Sequence, residues 1–245
     1  MSSATLPDPG AYGRNWASVY DDLFDHRDDT AAVVRLVTSL APHGPILELG
    51  VGSGRLAIPL AASGREVTGV DASREMLDRL REKPGGSAVT VVEGDMTSVA
   101  LDERFACALI AFSTLFLLPS QEAQIQCLRN AAAHLTPGGV LLVEAFVPDH
   151  QRWTRGQNVS ITTMSESTVE LQVGLHDAAD QVIRTQQLSF GPDGLTLRPN
   201  TLRYVWPSEL DVMCLLAGLR RVGRWSDWNR SPFTATSTAH VSAYS

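Results

Sequence analysis

The segment from Pro45 to Asp71, PILELGVGSGRLAIPLAASGREVTGVD, leaves this chain few ways to fold. It opens on a short apolar run, Ile46 to Leu49, of the length of a buried parallel strand. Three glycines follow, Gly50, Gly52 and Gly54, and helical character resumes from Leu56 to Ala62. A second apolar run, Glu66 to Val70, ends on the acid Asp71. Strand, glycine turn, helix and strand together span roughly the 30 residues that one such unit needs. Glycines at the turn admit positive φ and let a ligand approach the backbone, while the helix start points unpaired N–H groups at the same place. Asp71, at the tip of the second strand, is placed to accept hydrogen bonds from ribose hydroxyls. The unit predicts a nucleoside site on an α/β fold.

The glycine spacing narrows the ligand. A dinucleotide turn reads G-x-G-x-x-G, with its third glycine easing helix packing beneath a pyrophosphate. Here the string is G-x-G-x-G, followed by Arg55, and Glu48 stands two residues before it, where an acid repels a pyrophosphate and suits a cation. Glu48, Gly50, Gly52 and Gly54 resemble motif I of the class I S-adenosylmethionine-dependent methyltransferases, written (D/E)-x-G-x-G-x-G. Asp71 is similar to the acidic second motif of that family, and Gly94-Asp95-Met96, after the apolar run Val89 to Val92, to its third. The resemblance runs from about Val19 to Phe146. It implies a Rossmann-like, seven-stranded, mainly parallel sheet with its last strand antiparallel and helices on both faces, joined by an inserted antiparallel sheet and an N-terminal helical lid. It implies S-adenosylmethionine as cofactor, S-adenosylhomocysteine as product, and cofactor contacts from Tyr20, Glu48, Gly50, Gly52, Gly54, Arg55, Asp71, Ala72, Met76, Asp95, Met96 and Phe112.

At 245 residues the chain suits one core domain with an added element. The expected division is a lid segment over 1–29, a cofactor-binding core over 30–150, an antiparallel insertion over 151–205 and completion of the core over 206–245. A net charge of −7 argues against a phosphate-backbone partner, so a small-molecule substrate is expected and nucleic acid is not. Lys83 is the only lysine, a bias toward arginine that fits a high-GC bacterial source. Cys107, Cys127 and Cys214 are odd in number and sit in apolar surroundings, which predicts reduced buried thiols and a cytoplasmic protein. No charged-then-apolar leader pattern is seen, and no apolar run approaches the ~20 residues of a membrane span, so no membrane partner is expected.

Along the chain, Tyr12, Trp16, Val19, Tyr20, Leu23 and Phe24 form an aromatic stripe at helical spacing over Ala11 to Phe24. Val19 to Asp21 is similar to the lid of small-molecule members of the family, which would put Tyr20 near the methionine moiety or the transferred methyl group. His26, flanked by Asp25, is the leading general base, oriented and made more basic by the adjoining carboxylate; Asp25, His26 and Tyr20 are thus the catalytic candidates. Asp29 or Thr30 is expected to cap a helix through Leu40. Some resembling sugar N-methyltransferases carry a histidine base near Phe116, whereas this chain has Phe116, Leu117 and Leu118, so that base does not transfer.

A helix is expected from Gln121 to Leu135, stopped by Thr136-Pro137-Gly138-Gly139, with the fifth strand from Val140 to Phe146. From Asn158 to Tyr204 the pattern changes to alternation with turns at Asp177 to Asp180 and Gly191 to Gly194, which predicts three or four antiparallel strands. Such a sheet could roof the site, form a homodimer face or extend the core. Arg203 and His176 are polar candidates on it, and Tyr12, Trp16, Phe116, Phe146 and Trp206 would line an apolar substrate pocket. Phe116 could equally be core. A last helix after Trp206 and strands at Arg221 to Trp225 and Ala239 to Tyr244 complete the sheet. No metal-binding pattern stands out, and methyl transfer requires no metal. The expected activity is methyl transfer to an oxygen, nitrogen or carbon nucleophile of a small aromatic or alicyclic natural-product-like substrate. The rivals are a nicotinamide-dependent oxidoreductase and an inactive cofactor-binding partner subunit.

Overall fold

Buried parallel strands need helical crossovers, and the chain supplies one after almost every apolar run. A computed structural model describes residues 8–24, 27–192 and 194–245. Two N-terminal helices, α1 (Ala11–Phe24) and α2 (Thr30–Leu40), precede β1 (Ile46–Leu49), α3 (Ala57–Ala62), β2 (Val67–Asp71), α4 (Arg74–Glu82) and β3 (Val89–Glu93). Then come β4 (Phe105–Ile110), α5 (Gln121–Ala133) and β5 (Leu135–Phe146). Four strands follow, β6 (Gln157–Met164), β7 (Val169–Asp177), β8 (Val182–Gly191) and β9 (Gly194–Arg203), before α6 (Pro207–Leu216), β10 (Arg221–Trp225) and β11 (Ala239–Tyr244).

The main sheet has the order β10-β11-β5-β4-β1-β2-β3. The β1 strand pairs in parallel with both β2 and β4, while β11 runs antiparallel to β5 and β10. Strand order therefore reverses between β1 and β4, and the crevice at their carboxyl ends is where ligands bind in open α/β sheets. Successive residues point to opposite faces, so Leu47 and Leu49 enter one hydrophobic cluster with Phe105, Leu141 and Val143, while Ile46 enters the other with Val37, Leu60 and Leu142. The expected Rossmann-like sheet, its antiparallel last strand and the separate antiparallel sheet are all present.

Two boundaries differ from expectation. α5 stops at Ala133 and β5 begins at Leu135, so Thr136 to Gly139 lies inside the strand, not in a loop before it. The pairing with β4 shifts register between Phe105 and Cys107, and Gly138 takes φ 76°: the Pro-Gly-Gly stretch is an irregularity that the ladder absorbs. Asp29 precedes α2 without a side-chain capping bond, because its carboxylate is taken by two arginines. Cys107, Cys127 and Cys214 are buried free thiols, as expected. Among the described residues no helix is long and apolar enough to cross a membrane.

The second sheet is antiparallel throughout, in the order β6-β7-β8-β9. It joins the core through Ile183, Tyr204 and Val205, which are buried in the same cluster as Phe116. Arg203, at the end of β9, donates to Gln124 Oε1 at 2.7 Å and to Glu209 Oε1 at 2.8 Å, so its guanidinium ties the sheet to α5 and α6.

Candidate active site

At the carboxyl end of β1 the chain turns on Gly50, whose φ is 76°, and a Cβ there would collide with Thr114 Cγ2. The Gly50 and Val51 amides both donate to Val70 O, at 2.8 and 3.0 Å. Gly52 has φ 54°, and a Cβ built on it would meet open space, so its face of the loop is free to receive a ligand. Its N–H donates to Asp71 Oδ2 at 2.9 Å, and Ser73 N–H donates to Asp71 Oδ1 at 2.9 Å. Glycine loop and second-strand acid are thus locked together. Each carboxylate oxygen still has a lone pair to offer, since a carboxylate accepts about four hydrogen bonds. Burial raises the Asp71 pKa above the usual carboxylate value, against the lowering effect of the amides that bind it.

Glu48 is the strongest pointer to ligand charge. It sits in β1, an interior strand of the sheet, with 4% of its surface exposed, and its Oε2 has no hydrogen-bond partner. Burial pushes its pKa up to about 8, with Arg55 pulling it down and Asp71 adding to the rise. A buried acid with an unmet oxygen costs free energy until a cation or donor reaches it. The residues fit S-adenosylmethionine: open space over Gly52, acceptor capacity on Asp71 and an unsatisfied acid at Glu48 suit a nucleoside that carries positive charge.

The helix α1 closes over this cradle. Asp21 is its latch, accepting from Ser53 Oγ at 2.5 Å, Lys83 Nζ at 2.8 Å and Arg79 Nη1 at 3.1 Å. Trp16 anchors the other end, its indole N–H donating to Pro199 O of β9 at 3.3 Å. Tyr20 stands within electrostatic range of Arg55, Glu48, Asp71 and Arg27, and burial raises its pKa to about 12. Its phenol is therefore a neutral hydrogen-bonding group at physiological pH.

Beside the lid lies a charged chain that the sequence did not announce. Arg55 Nη1 donates to Asp29 Oδ1 at 2.7 Å, Asp29 also pairs with Arg27, and Arg27 Nη2 donates to Glu144 Oε1 at 3.3 Å. Glu144 Oε2 accepts from the Phe112 N–H at 2.8 Å. Phe112 and Ser113 both hold positive φ, 52° and 60°, just beyond β4. Non-glycine residues in that region cost about 1–3 kcal/mol each and cluster at functional sites. The Phe112 ring is clamped by the Arg27 guanidinium, 4.6 Å from its centroid, and by Phe24, 5.1 Å away. Glu144 and Arg27 are separated by 117 positions, which hides their partnership from any local reading.

The structure brings Tyr20, Glu48, Gly50, Gly52, Gly54, Arg55 and Asp71 to one crevice, with Ala72 following Asp71 and Phe112 at the neighbouring strand end. Asp95 follows β3 by two positions, and its Oδ1 accepts from Thr97 N–H at 2.8 Å. Met96, half-buried, packs against the core. The other candidates have these surroundings. Met76 is buried under α1 with Trp16 and Ala17, and Tyr20 packs against the same cluster. Phe116 is fully enclosed, edge-on to Phe146 at 5.0 Å, and is core. Trp16 and Arg203 spend their donors on Pro199, Gln124 and Glu209. Tyr12 stacks on Trp16 at 5.8 Å. Trp206 belongs to an aromatic group with His150, His176 and Tyr204, in which both histidine Nε2 atoms lie 3.0–3.1 Å from the Tyr204 hydroxyl. Asp25 and His26 lie outside the described residues.

Comparison with known proteins agrees with this geometry. A methyltransferase-domain family matches residues 46–139. The cypemycin N-terminal methyltransferase of a Streptomyces species is 30% identical over 235 residues, covering 95% of this chain and 96% of that protein. The solved structure of the CcbJ methyltransferase from Streptomyces caelestis superposes with a TM-score of 0.91 at 38% identity, covering 97% of this chain and 98% of that one. A dTDP-3-amino-3,6-dideoxy-alpha-D-glucopyranose N,N-dimethyltransferase of Streptomyces fradiae is 28% identical over 80% of this chain and 79% of its own. These matches set the nicotinamide reading aside. The chain is an enzyme of the class I S-adenosylmethionine-dependent methyltransferase family.

Proposed function

We propose that this enzyme methylates an amine nitrogen of a small natural-product-like molecule in the bacterial cytoplasm. The relatives named as an N-terminal methyltransferase and as an N,N-dimethyltransferase of an amino sugar support nitrogen as the acceptor. The observation that carries the small-substrate reading is the lid: α1 is latched by Asp21 onto Ser53, Arg79 and Lys83, so an acceptor has to enter beside the helix as a small molecule or a narrow chain end.

Bound S-adenosylmethionine supplies an electrophilic methyl group on a sulfonium. Glu48, the glycine loop, Asp71, Asp95 and Met96 hold and orient the nucleoside and amino-acid ends. Tyr20 and Phe112 close the reacting end against water, and rate comes mainly from alignment of nucleophile and methyl carbon at roughly 3 Å. A neutral amine attacks through its lone pair and must then shed a proton. Tyr20, neutral at pH 7, orients the acceptor by a hydrogen bond and does not serve as base. We assign the proton to His26. The half-exposed Tyr12 and Phe146, with Trp206, remain candidates for the substrate side.

A labelled-methyl screen of primary and secondary amines against matched phenols tests the reading. N-methyl products by mass spectrometry are expected, and O-methyl products alone would overturn it. His26→Ala is expected to lower kcat more than tenfold while the Kd for S-adenosylhomocysteine stays within threefold; a wild-type kcat removes His26 from the mechanism.

A further inference from the structure

The four-stranded sheet wears its apolar side outward. Cross-strand register sorts its residues into two faces. The face turned to the core carries the polar row Gln172, Gln187 and Arg198. Its counterpart on the outer face is Ile161, Leu171, Leu188 and Leu197, one residue from each strand, with Phe190 and Leu195 beside it. Ile161 is 63% exposed, Leu195 54% and Leu197 53%. A half-solvated antiparallel sheet normally shows the reverse, polar residues to water and apolar ones to the core. Contiguous apolar patches beyond a few hundred Å² mark interaction surfaces.

We propose that a second copy of this chain covers this face, sheet against sheet, about a two-fold axis. Three observations favour that occupant. The first is size: four strands at about 4.8 Å spacing and about eight residues at about 3.4 Å span roughly 500 Å² of flat sheet. Side-chain relief brings that toward the ~800 Å² per partner of a standard stable interface. The second is shape, since a sheet face with apolar rows across all four strands is self-complementary and packs at about 10 Å in the manner of a sandwich. The third is charge. Arg184 stands on this face at the end near the β7–β8 turn, paired across from Leu175, whereas Glu166 lies in the β6–β7 turn at the opposite end. A two-fold axis in the sheet plane and across the strands sets the Arg184 end of one copy over the Glu166 end of the other.

Sedimentation equilibrium of the full chain tests this, beside the double variant Ile161→Lys/Leu197→Lys and the control Val222→Lys, which alters an exposed apolar residue on β10. The wild type and the control are expected at twice the chain mass, or a multiple of it, and the double variant at half the wild-type value. Far-UV circular dichroism and unchanged S-adenosylhomocysteine affinity check that the variant is folded. Should it misfold, hydrogen exchange of the wild type replaces it: protection of β6 to β9 is expected to rise with protein concentration, while that of β1 to β3 stays constant. A monomeric wild type, a double variant of wild-type mass, or exchange independent of concentration would overturn the proposal and leave the face to a different partner.

Discussion

The two sheets of this protein dispose of apolar surface in opposite ways. In the seven-stranded sheet the residues of β1 and β4 are covered on both sides, Leu47 and Leu109 being fully buried in separate clusters. In the four-stranded sheet one face meets the core and the other holds Ile161 and Leu197 in the open. A parallel sheet made of crossovers carries its own helices and is closed by its connectivity. An antiparallel insertion made of hairpins brings no cover for its second face. The difference teaches that burial in the first sheet is a matter of one chain's stability, whereas apolar residues in the second point beyond the chain.

The comparison can be broken at its strongest point first. Leu47→Ala should destabilise the chain by about 2–5 kcal/mol, because the core around β1 cannot collapse onto the lost volume. Leu197→Ala should change stability by less than about 0.5 kcal/mol when measured at a concentration where the chain is monomeric. Denaturant melts of both variants check this, and equal losses would mean that the outer face is covered within the chain.

Gly50→Val is next in size. It places a branched side chain at φ 76° against Thr114, and S-adenosylhomocysteine affinity should fall more than a hundredfold by calorimetry. Asp71→Ala should weaken the same affinity by about ten- to a hundredfold, since it removes acceptor oxygens and frees the Gly52 N–H. Unchanged affinity would move the nucleoside away from β2.

Glu144→Gln keeps an acceptor for the Phe112 N–H and loses the charge facing Arg27. A drop in kcat of about tenfold is expected with cofactor Kd within threefold, an effect of positioning at the β4 end and not of binding.

An effect of similar size is a pH dependence. Glu48 has a folded-state pKa of about 8, above the ordinary 4.5. The folded chain therefore keeps a proton that the unfolded chain releases, so this contribution to stability is full below pH 4.5 and drains away as pH rises to about 8. A cation binds the ionised form better, so cofactor affinity should rise by about tenfold from pH 6.5 to 8. Glu48→Gln should flatten that slope in calorimetric titrations. A slope that survives the substitution would assign the titration to another group.

By itself the sequence determined what local spacing can encode. Glycines at alternate positions between two apolar runs specify the strand–turn–helix unit, since a chain without Cβ atoms there adopts positive φ at little cost. Asp71 follows from the same logic, because a strand end fixes where its last side chain stands. The N-terminal helix was legible in the three-and-four spacing from Tyr12 to Phe24, and the hairpins in the alternation after Asn158. Only the tertiary structure decided which residues act across distance. Glu144, Arg27 and the strained Phe112 meet through strand ends brought together by crossovers, and no periodicity records that meeting. Phe116, Trp16 and Arg203 have the chemistry of pocket residues, yet packing assigns them to the core, the lid anchor and the sheet tether. The outward apolar face is of the same kind: alternation showed that the strands have two different sides, and only docking on the core decided which side was left bare.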